Sequence, residues 1–115
     1  MSEAPMREPT FLVLTALAEE PRHGYAVIED VATMTGGRVR LRAGTLYAAL
    51  DRLRIDGLIE VDREEVVQSR LRRYYRLTGA GEQSLATESA RLRQQATIAE
   101  TRLKVRRANL GGAPA

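Results

Sequence analysis

The last third of the chain constrains the fold most strongly. Thr78 is a residue type that caps helix N-termini, and it is followed by a segment that predicts one long helix over residues 79–108. Gly79 and Gly81 lower the helix propensity of its first turn. A helix of this length cannot fold back fully on the small domain before it. Its apolar side therefore requires a second chain.

A weak heptad pattern supports this pairing. Leu85, Leu92 and Ala99 take the d positions, and small or polar residues such as Ser89 and Ala96 share the a positions with leucines. Such a seam suits an antiparallel or intertwined helix pair better than a long free coiled coil. The sequence predicts a homodimer, with an interface that includes Phe11, Leu85, Leu92, Ala96, Ala99 and Leu103.

The composition excludes several chemistries. The chain has 115 residues, no cysteine and one histidine, so disulfides, a thiol nucleophile and a multi-histidine metal site are ruled out within one protomer. His23 lies at a predicted helix start without an acidic or nucleophilic partner, and a capping role is expected. Glu64 and Glu65 are assigned to a solvated loop. We predict no enzyme activity, no cofactor and no metal.

Positive charge is concentrated in the middle and at the end of the chain. Residues 1–37 carry two arginines against six acidic residues, whereas residues 38–76 carry ten arginines against six. Residues 77–115 carry six cations against three acids. Arginine suits phosphate and guanine because its planar fork donates two parallel hydrogen bonds. A genome rich in G and C also accounts for part of the arginine excess. The distribution predicts contact between one region and a polyanion.

Three helices are predicted before the basic segment ends. The first covers residues 8–20 and is apolar on more than one side. The second carries a stripe of Tyr25, Ile28 and Ala32 and ends at the Gly36-Gly37 pair. The third covers residues 43–56.

Short strands complete the predicted unit. Val39–Leu41 alternates as a first small strand, and residues 58–63 and 71–77 read as two further strands around a polar, mobile loop at 64–70. Three helices followed by a two-stranded ribbon define a winged helix-turn-helix. The predicted fold class is mostly α with a small β-wing (α+β), extended by a C-terminal dimerisation helix. The predicted divisions are a flexible N-terminus (1–8), the winged domain (9–78), the dimerisation helix (79–108) and a disordered tail (109–115).

The third helix is the candidate reading helix. Leu46, Leu50 and Leu53 form its inward stripe, and small residues on the opposite side allow its backbone to approach base edges. A major groove about 12 Å wide admits one helix, and a helix N-terminus presents free N–H groups to phosphate. The alternative is an ordinary amphipathic helix with a solvated face. The candidate DNA-binding residues here are Arg40, Arg42, Gly44, Thr45, Ala48 and Arg52.

The predicted wing is the second candidate DNA-binding element. Arg70, Arg72, Arg73 and Arg76 fall within one short segment beside two tyrosines, which suits phosphates or a minor groove. The alternative is a charged edge strand that discourages aggregation.

The motifs, taken together, resemble the PadR family of bacterial transcription regulators. Each is weak alone, but they follow one another in order from about residue 9 to residue 107. They are His23-Gly24-Tyr25, the segment GTLYAALDRL at 44–53, Asp56-Gly57-Leu58-Ile59, the segment RRYYRLT at 72–78, and Gly81.

The resemblance implies a homodimeric winged-helix repressor that binds a palindromic double-stranded operator and is released by a small-molecule effector. It implies that Gly44, Thr45 and Tyr47 belong to the reading-helix motif and that Arg72 and Arg73 supply the basic residues of the wing.

The chain departs from the family pattern at several positions. Arg42 stands where Ser or Thr is usual and Ala48 stands where Pro is usual, and Ser69 and Leu71 replace a Gly and a Pro that are frequent in the wing turn. A longer, looser wing is therefore expected. The ring of Tyr47 either braces helix 3 against the core or brings its hydroxyl to a phosphate.

No apolar run reaches the roughly 18–20 residues of a membrane span, and the N-terminus lacks the pattern of a signal peptide. We therefore expect a cytoplasmic protein. An alternative function is a winged-helix protein-interaction adaptor, with the acidic first two helices as its partner surface.

Overall fold

The computed structural model describes residues 5–111. Residues 1–4 and 112–115, parts of the predicted flexible N-terminus and disordered tail, lie outside that range. Four helices and a three-stranded antiparallel sheet form a winged-helix fold of the α+β class, as predicted. The elements in chain order are α1 (Glu8–Ala16), β1 (Arg22–His23), α2 (Gly24–Met34), α3 (Ala43–Ile55), β2 (Ile59–Val67), β3 (Arg70–Leu77) and α4 (Gly79–Gly111).

The core lies where α1, α2 and α3 meet the base of the sheet. Three successive residues of α1, Leu12–Leu14, are buried, so this helix is covered on more than one side, as its apolar run predicts. The leucine stripe of α3 is buried as predicted. Ile59 of β2 and Tyr75 of β3 close the core from the sheet.

Three helices differ from the sequence prediction. α4 runs to Gly111 rather than ending at residue 108, so residues 109–111 of the predicted disordered tail are helical. α1 ends at Ala16 rather than at residue 20, and the Arg22 Nε donates a 2.9 Å hydrogen bond to the Ala16 carbonyl that the helix end leaves free. α2 buries Gly24, Val27 and Val31. Tyr25, predicted to point inward, is 65% exposed.

The sheet has the order β1-β3-β2. The predicted strand at Val39–Leu41 is wrong, because these residues form no strand. The strand that joins the two wing strands in the sheet is instead β1. It pairs with β3, so that Arg22 lies opposite Tyr75 and His23 lies opposite Tyr74.

The wing is a tight hairpin rather than the loose one expected, and its strands are longer than predicted. β2 runs to Val67 and β3 starts at Arg70, so most of the predicted loop at 64–70 is paired strand. The turn consists of Gln68 (φ 50°) and Ser69 (φ 65°). Two successive residues with positive φ are what a two-residue type I′ hairpin requires, and its twist matches that of the strands.

α4 begins against the end of the sheet. The Thr78 hydroxyl accepts a 3.1 Å hydrogen bond from the Gly81 N–H, which confirms it as the N-cap, and it donates at 2.7 Å to the Gly57 carbonyl. Gly81 is buried against the Leu58 carbonyl. Beyond Arg91 every residue of α4 is exposed, and the molecule is 72 Å long.

A carboxylate joins α4 to the N-terminal segment. Glu88 is 6% exposed, accepts a 3.2 Å hydrogen bond from the Met6 backbone N–H, and pairs with Arg91 through two contacts, one of them 2.8 Å. The Arg91 guanidinium is the main cause that holds the pKa of Glu88 below its usual value of 4.5.

The lowered pKa of Glu88 predicts an acid-sensitive contribution to stability. A carboxylate with a depressed folded-state pKa stabilises the fold above its unfolded pKa, and the contribution is lost as the pH falls through the folded value. We expect the free energy of unfolding, measured with urea, to decrease as the pH is lowered below 4.5. The decrease should be less steep in Glu88→Gln. Equal slopes for the two proteins would contradict this assignment.

Candidate nucleic-acid interface

The outward face of α3 carries small side chains over its first two turns and larger ones, Arg52 and the 79% exposed Ile55, towards its end. At 3.6 residues per turn, Gly44, Thr45, Ala48 and Arg52 fall within an arc of about 100°. All four are exposed, and the face lies opposite the buried leucine stripe. Arg52 makes a 3.4 Å ion pair with Asp56 one turn further on. Both groups of this pair remain solvated, so the arginine is free to exchange partners at small cost.

The N-terminus of α3 lacks a side-chain cap. Arg42 takes the N-cap position with extended backbone (φ −84°, ψ 150°) and makes no capping hydrogen bond. The first backbone N–H groups of the helix therefore point outward without an intrahelical partner. Arg40 and Arg42, in the segment that leads into the helix, are exposed, and the Arg40 guanidinium lies against Gly37. Together these donors and charges form a site suited to an oxyanion.

Tyr47 braces α3 against the start of α2. A Cβ placed on Gly24 would lie 2.8 Å from the Tyr47 hydroxyl oxygen and 3.0 Å from its Cζ, so the ring packs directly on the glycine backbone. The side chain is still 50% exposed. This contact supports the interpretation that the ring braces α3 against the core. The hydroxyl lies at the N-terminal end of α2.

The wing arginines divide into two sets. Arg73 pairs with Glu64 at 3.1 Å and Arg76 pairs with Glu60 at 3.1 Å, both across the hairpin. Arg70 and Arg72 make no ion pair within residues 5–111. The acidic residues of β2, which sequence reasoning placed partly in a loop, therefore offset half of the predicted basic ridge.

His23 is a structural residue, as expected. Its Nδ1 accepts a 3.3 Å hydrogen bond from the Ala26 N–H and so caps α2, and its ring meets that of Tyr74 edge-on at 5.3 Å. Burial, followed by the charge of Arg72, lowers the pKa of His23. The neutral ring is the form that can accept the capping hydrogen bond.

A groove of about 700 Å³ separates the wing from the N-terminal end of α2 and the middle of α3. Arg70 and Arg72 line it from the wing, and Tyr47 lines it from α3. It also contains Tyr25 and Asp51, which sequence reasoning did not assign to the interface. The signal for Tyr25 was its place next to His23 and Gly24 in one of the recognised motifs.

The predicted dimer residues fall into two groups. Phe11 and Leu85 are partly buried against the core of their own chain. Leu92 is 39% exposed and Leu103 is 45% exposed. Ala96 and Ala99 are exposed on the same free part of α4.

Two negative findings apply to residues 5–111. Their acidic residues and single histidine form no group of three that could hold a metal ion. No helix in this part of the chain has the length and apolarity needed to cross a bilayer.

The fold defines a winged helix-turn-helix protein whose third helix exposes a face that begins with small residues. A family model described as the transcriptional regulator PadR-like family matches residues 13–87. The chain belongs to this family of transcriptional regulators.

Related proteins and solved structures agree with this family assignment. The transcriptional regulator Rv3488 of Mycobacterium tuberculosis is 38% identical over 78 residues, which cover 68% of this chain and 59% of that protein. A PadR family transcriptional regulator from Eggerthella lenta is 29% identical with a TM-score of 0.69, over 83% of this chain and 80% of that one. Bacillus subtilis PadR in complex with operator DNA shares the fold at 22% identity and a TM-score of 0.64, over 70% of this chain and 47% of that one.

Proposed function

We propose that this protein is a sequence-specific DNA-binding repressor that acts as a homodimer. The observation that carries the proposal is the exposed arc of Gly44, Thr45, Ala48 and Arg52, which faces outward beside the uncapped N-terminus of α3. A helix with small side chains at its exposed face enters a major groove closely enough for its polar residues to reach base edges. Membership of a transcriptional regulator family supports the same function.

Each element has a proposed role. The small residues admit the helix backbone to the groove, Thr45 reads a base edge, and Arg40, Arg42 and Arg52 bind phosphates or guanine. Tyr47 holds the reading helix in place and directs its hydroxyl to a phosphate. Arg70, Arg72 and Arg73 place the wing on the neighbouring backbone.

The proposed dimer forms through α4. The free part of this helix exposes Leu92, Leu103 and Leu110 to solvent, and a second copy would cover them. The proposed divisions are a winged domain over 9–78 and a dimerisation helix that starts at residue 79, as predicted, and extends past the predicted end at 108 to Gly111, where α4 ends. Two-fold symmetry then presents two reading helices to half-sites about one helical turn apart. The operator DNA bound to Bacillus subtilis PadR supports this choice of ligand.

Release by a small molecule is the remaining part of the proposal, and it is supported by the family resemblance. The chain contains no tryptophan, so a pocket that sandwiches a drug between indole rings is not the form we expect. A ligand that changed the separation of the two reading helices would lower operator affinity.

The deciding experiment combines a binding titration with the oligomeric state. Labelled duplexes are made from the DNA upstream of the gene that encodes this protein. Fluorescence anisotropy should show tight binding to one of these duplexes in the presence of an excess of unrelated duplex. Sedimentation should give the mass of a dimer. A monomer that binds every duplex equally, or none at all in dilute buffer, would refute the proposal. Transcription from that promoter, measured with and without protein, distinguishes repression from activation.

The wing gives a graded prediction. Arg72 is without an ion-pair partner among the described residues, whereas Arg73 already pairs with Glu64. Arg72→Ala should lower affinity for all duplexes alike and flatten the plot of log affinity against log salt by about one unit. Arg73→Ala should flatten the plot less. In the unchanged protein, Arg73 has to give up its ion pair with Glu64 in order to bind a phosphate, so its net contribution to binding is smaller. An unchanged slope in Arg72→Ala would remove the wing from the interface.

A further inference from the structure

The free part of α4 is positioned entirely by the contacts at its base. All side chains from residue 92 to residue 111 are exposed, and the molecule extends 72 Å against 34 and 22 Å in the other directions. Among residues 5–111, no residue of the helix beyond Arg91 is buried or half-buried. Its direction relative to the winged domain is therefore set between Gly79 and Arg91.

Three contacts hold that base. The backbone of Gly81 lies against Leu58, and the side chain of Leu85 packs on the core. The third is Glu88, the last buried residue of α4 and the one buried charged side chain among residues 5–111. It accepts the Met6 backbone hydrogen bond at 3.2 Å, and Met6 lies two residues before Glu8, where α1 begins. Glu88 therefore ties α4 to α1 at a point away from the sheet.

Because Glu88 lies furthest along the helix of these three contacts, it limits the angle between α4 and the winged domain. Gly81 and Glu88 are separated by about 10 Å along the helix axis, and residue 110 lies about 33 Å beyond Glu88. Without the outer contact, the helix can tilt about the inner one. Residue 110 lies about 44 Å from Gly81, so a tilt of only 5° moves the far end by about 4 Å, which is comparable to the 3.4 Å rise of one base pair.

The choice of an ionic group at this position agrees with a role in geometry. Buried ion pairs contribute little to stability compared with apolar side chains of the same size. Arg91 lies one turn further along the same helix, so it neutralises Glu88 without adding a contact to the winged domain. The link between the two parts of the molecule is the directional hydrogen bond from Met6.

We propose that Glu88, Arg91 and the Met6 N–H form a clasp that fixes the direction of α4 relative to the winged domain. In the dimer, the clasp sets the separation of the two reading helices and hence the half-site spacing that the protein accepts. Glu88 and Arg91 are thus positioning residues. This consequence for DNA rests on the proposed function, whereas the clasp itself does not.

A distance measurement tests the clasp without DNA. The chain has no cysteine, so spin labels attach only at Thr33→Cys on α2 and Thr101→Cys on α4, both exposed positions. Dilution with excess unlabelled protein isolates the distance within one protomer. We expect one narrow distance in the otherwise unchanged protein and a distribution at least twice as wide in Glu88→Ala. Glu88→Gln, which keeps the size and an acceptor for Met6, should lie between them.

The matched control is Glu82→Ala. This glutamate lies on the same helix, is exposed, and makes no ion pair among the described residues, so the distance should not change. If Glu88→Ala does not fold, the double variant Glu88→Gln, Arg91→Gln is judged by the same criterion. A distribution as narrow as that of the unchanged protein overturns the clasp.

A second measurement tests the consequence. A duplex selected by the unchanged protein from a random pool is remade with one base pair added or removed between its half-sites. The unchanged protein should lose at least tenfold in affinity for either duplex, and Glu88→Ala should lose no more than threefold. Equal losses would overturn the role in spacing. If the pool yields no duplex at all, the proposed function fails, and the spin-label distances still decide on the clasp.

Discussion

Gly81→Ala should destabilise the protein by about 3–5 kcal/mol, one of the largest effects available to a single methyl group in this chain. A Cβ at this position would lie 2.0 Å from the Leu58 carbonyl oxygen and 3.0 Å from its carbonyl carbon. Both atoms belong to the backbone, so no side-chain rotation relieves the overlap. The first turn of α4 must move away, and the 3.1 Å hydrogen bond from the Thr78 N–H to the same carbonyl is lost.

The control is Gly79→Ala, in the same helical turn. A Cβ on Gly79 meets nothing within 4 Å, and alanine is the better helix former by about 0.5–1 kcal/mol. Urea unfolding should therefore show a small gain for Gly79→Ala and a large loss for Gly81→Ala. Equal free energies of unfolding in the two variants would show that α4 does not pack on the Leu58 backbone as described.

The sequence predicted the elements that repeat a clear period. The leucines of α3 recur at helical spacing, and each of them is buried. β1 was missed because two residues are too few to show alternation. The tight wing turn was missed because Gln68 and Ser69 adopt positive φ without the glycine or asparagine that usually marks such a turn.

The burial of α2, which carries Tyr25 of the groove, was predicted incorrectly for a physical reason. On α2, the stripe of Tyr25, Ile28 and Ala32 differs by one residue from the buried stripe of Gly24, Val27 and Val31. Periodicity alone favours the bulkier set, since a glycine carries no apolar side chain. The ring of Tyr47 packs on Gly24, and that contact between helices decides which stripe is buried.

Charges were the least predictable part. The pairing of Arg73 with Glu64 depends on the register of the hairpin, which a chain read residue by residue does not contain. The burial of Glu88 depends on where the N-terminal segment crosses α4. The first contact spans nine residues across the hairpin and the second spans 82 residues, and neither follows from the spacing of residues within one helix or strand.

Ala48→Glu should abolish specific DNA binding while leaving the fold intact, with a loss of at least 100-fold, or about 2.7 kcal/mol. Ala48 is exposed near the middle of the reading face. A carboxylate there would meet base edges rich in acceptors and a phosphate backbone of the same charge. Glutamate is a good helix former, so α3 itself is not weakened.

Ala80→Glu is the matched control for the Ala48 variant, because it makes the same substitution at an exposed position in the first turn of α4. A negative charge near a helix N-terminus is favourable, and this turn is not part of the proposed interface. Anisotropy titrations should therefore give nearly unchanged affinity for Ala80→Glu, and circular dichroism should give the same helix content for both variants. If Ala48→Glu bound DNA as tightly as Ala80→Glu, α3 could not be the element that enters the major groove, and the wing alone would have to account for binding.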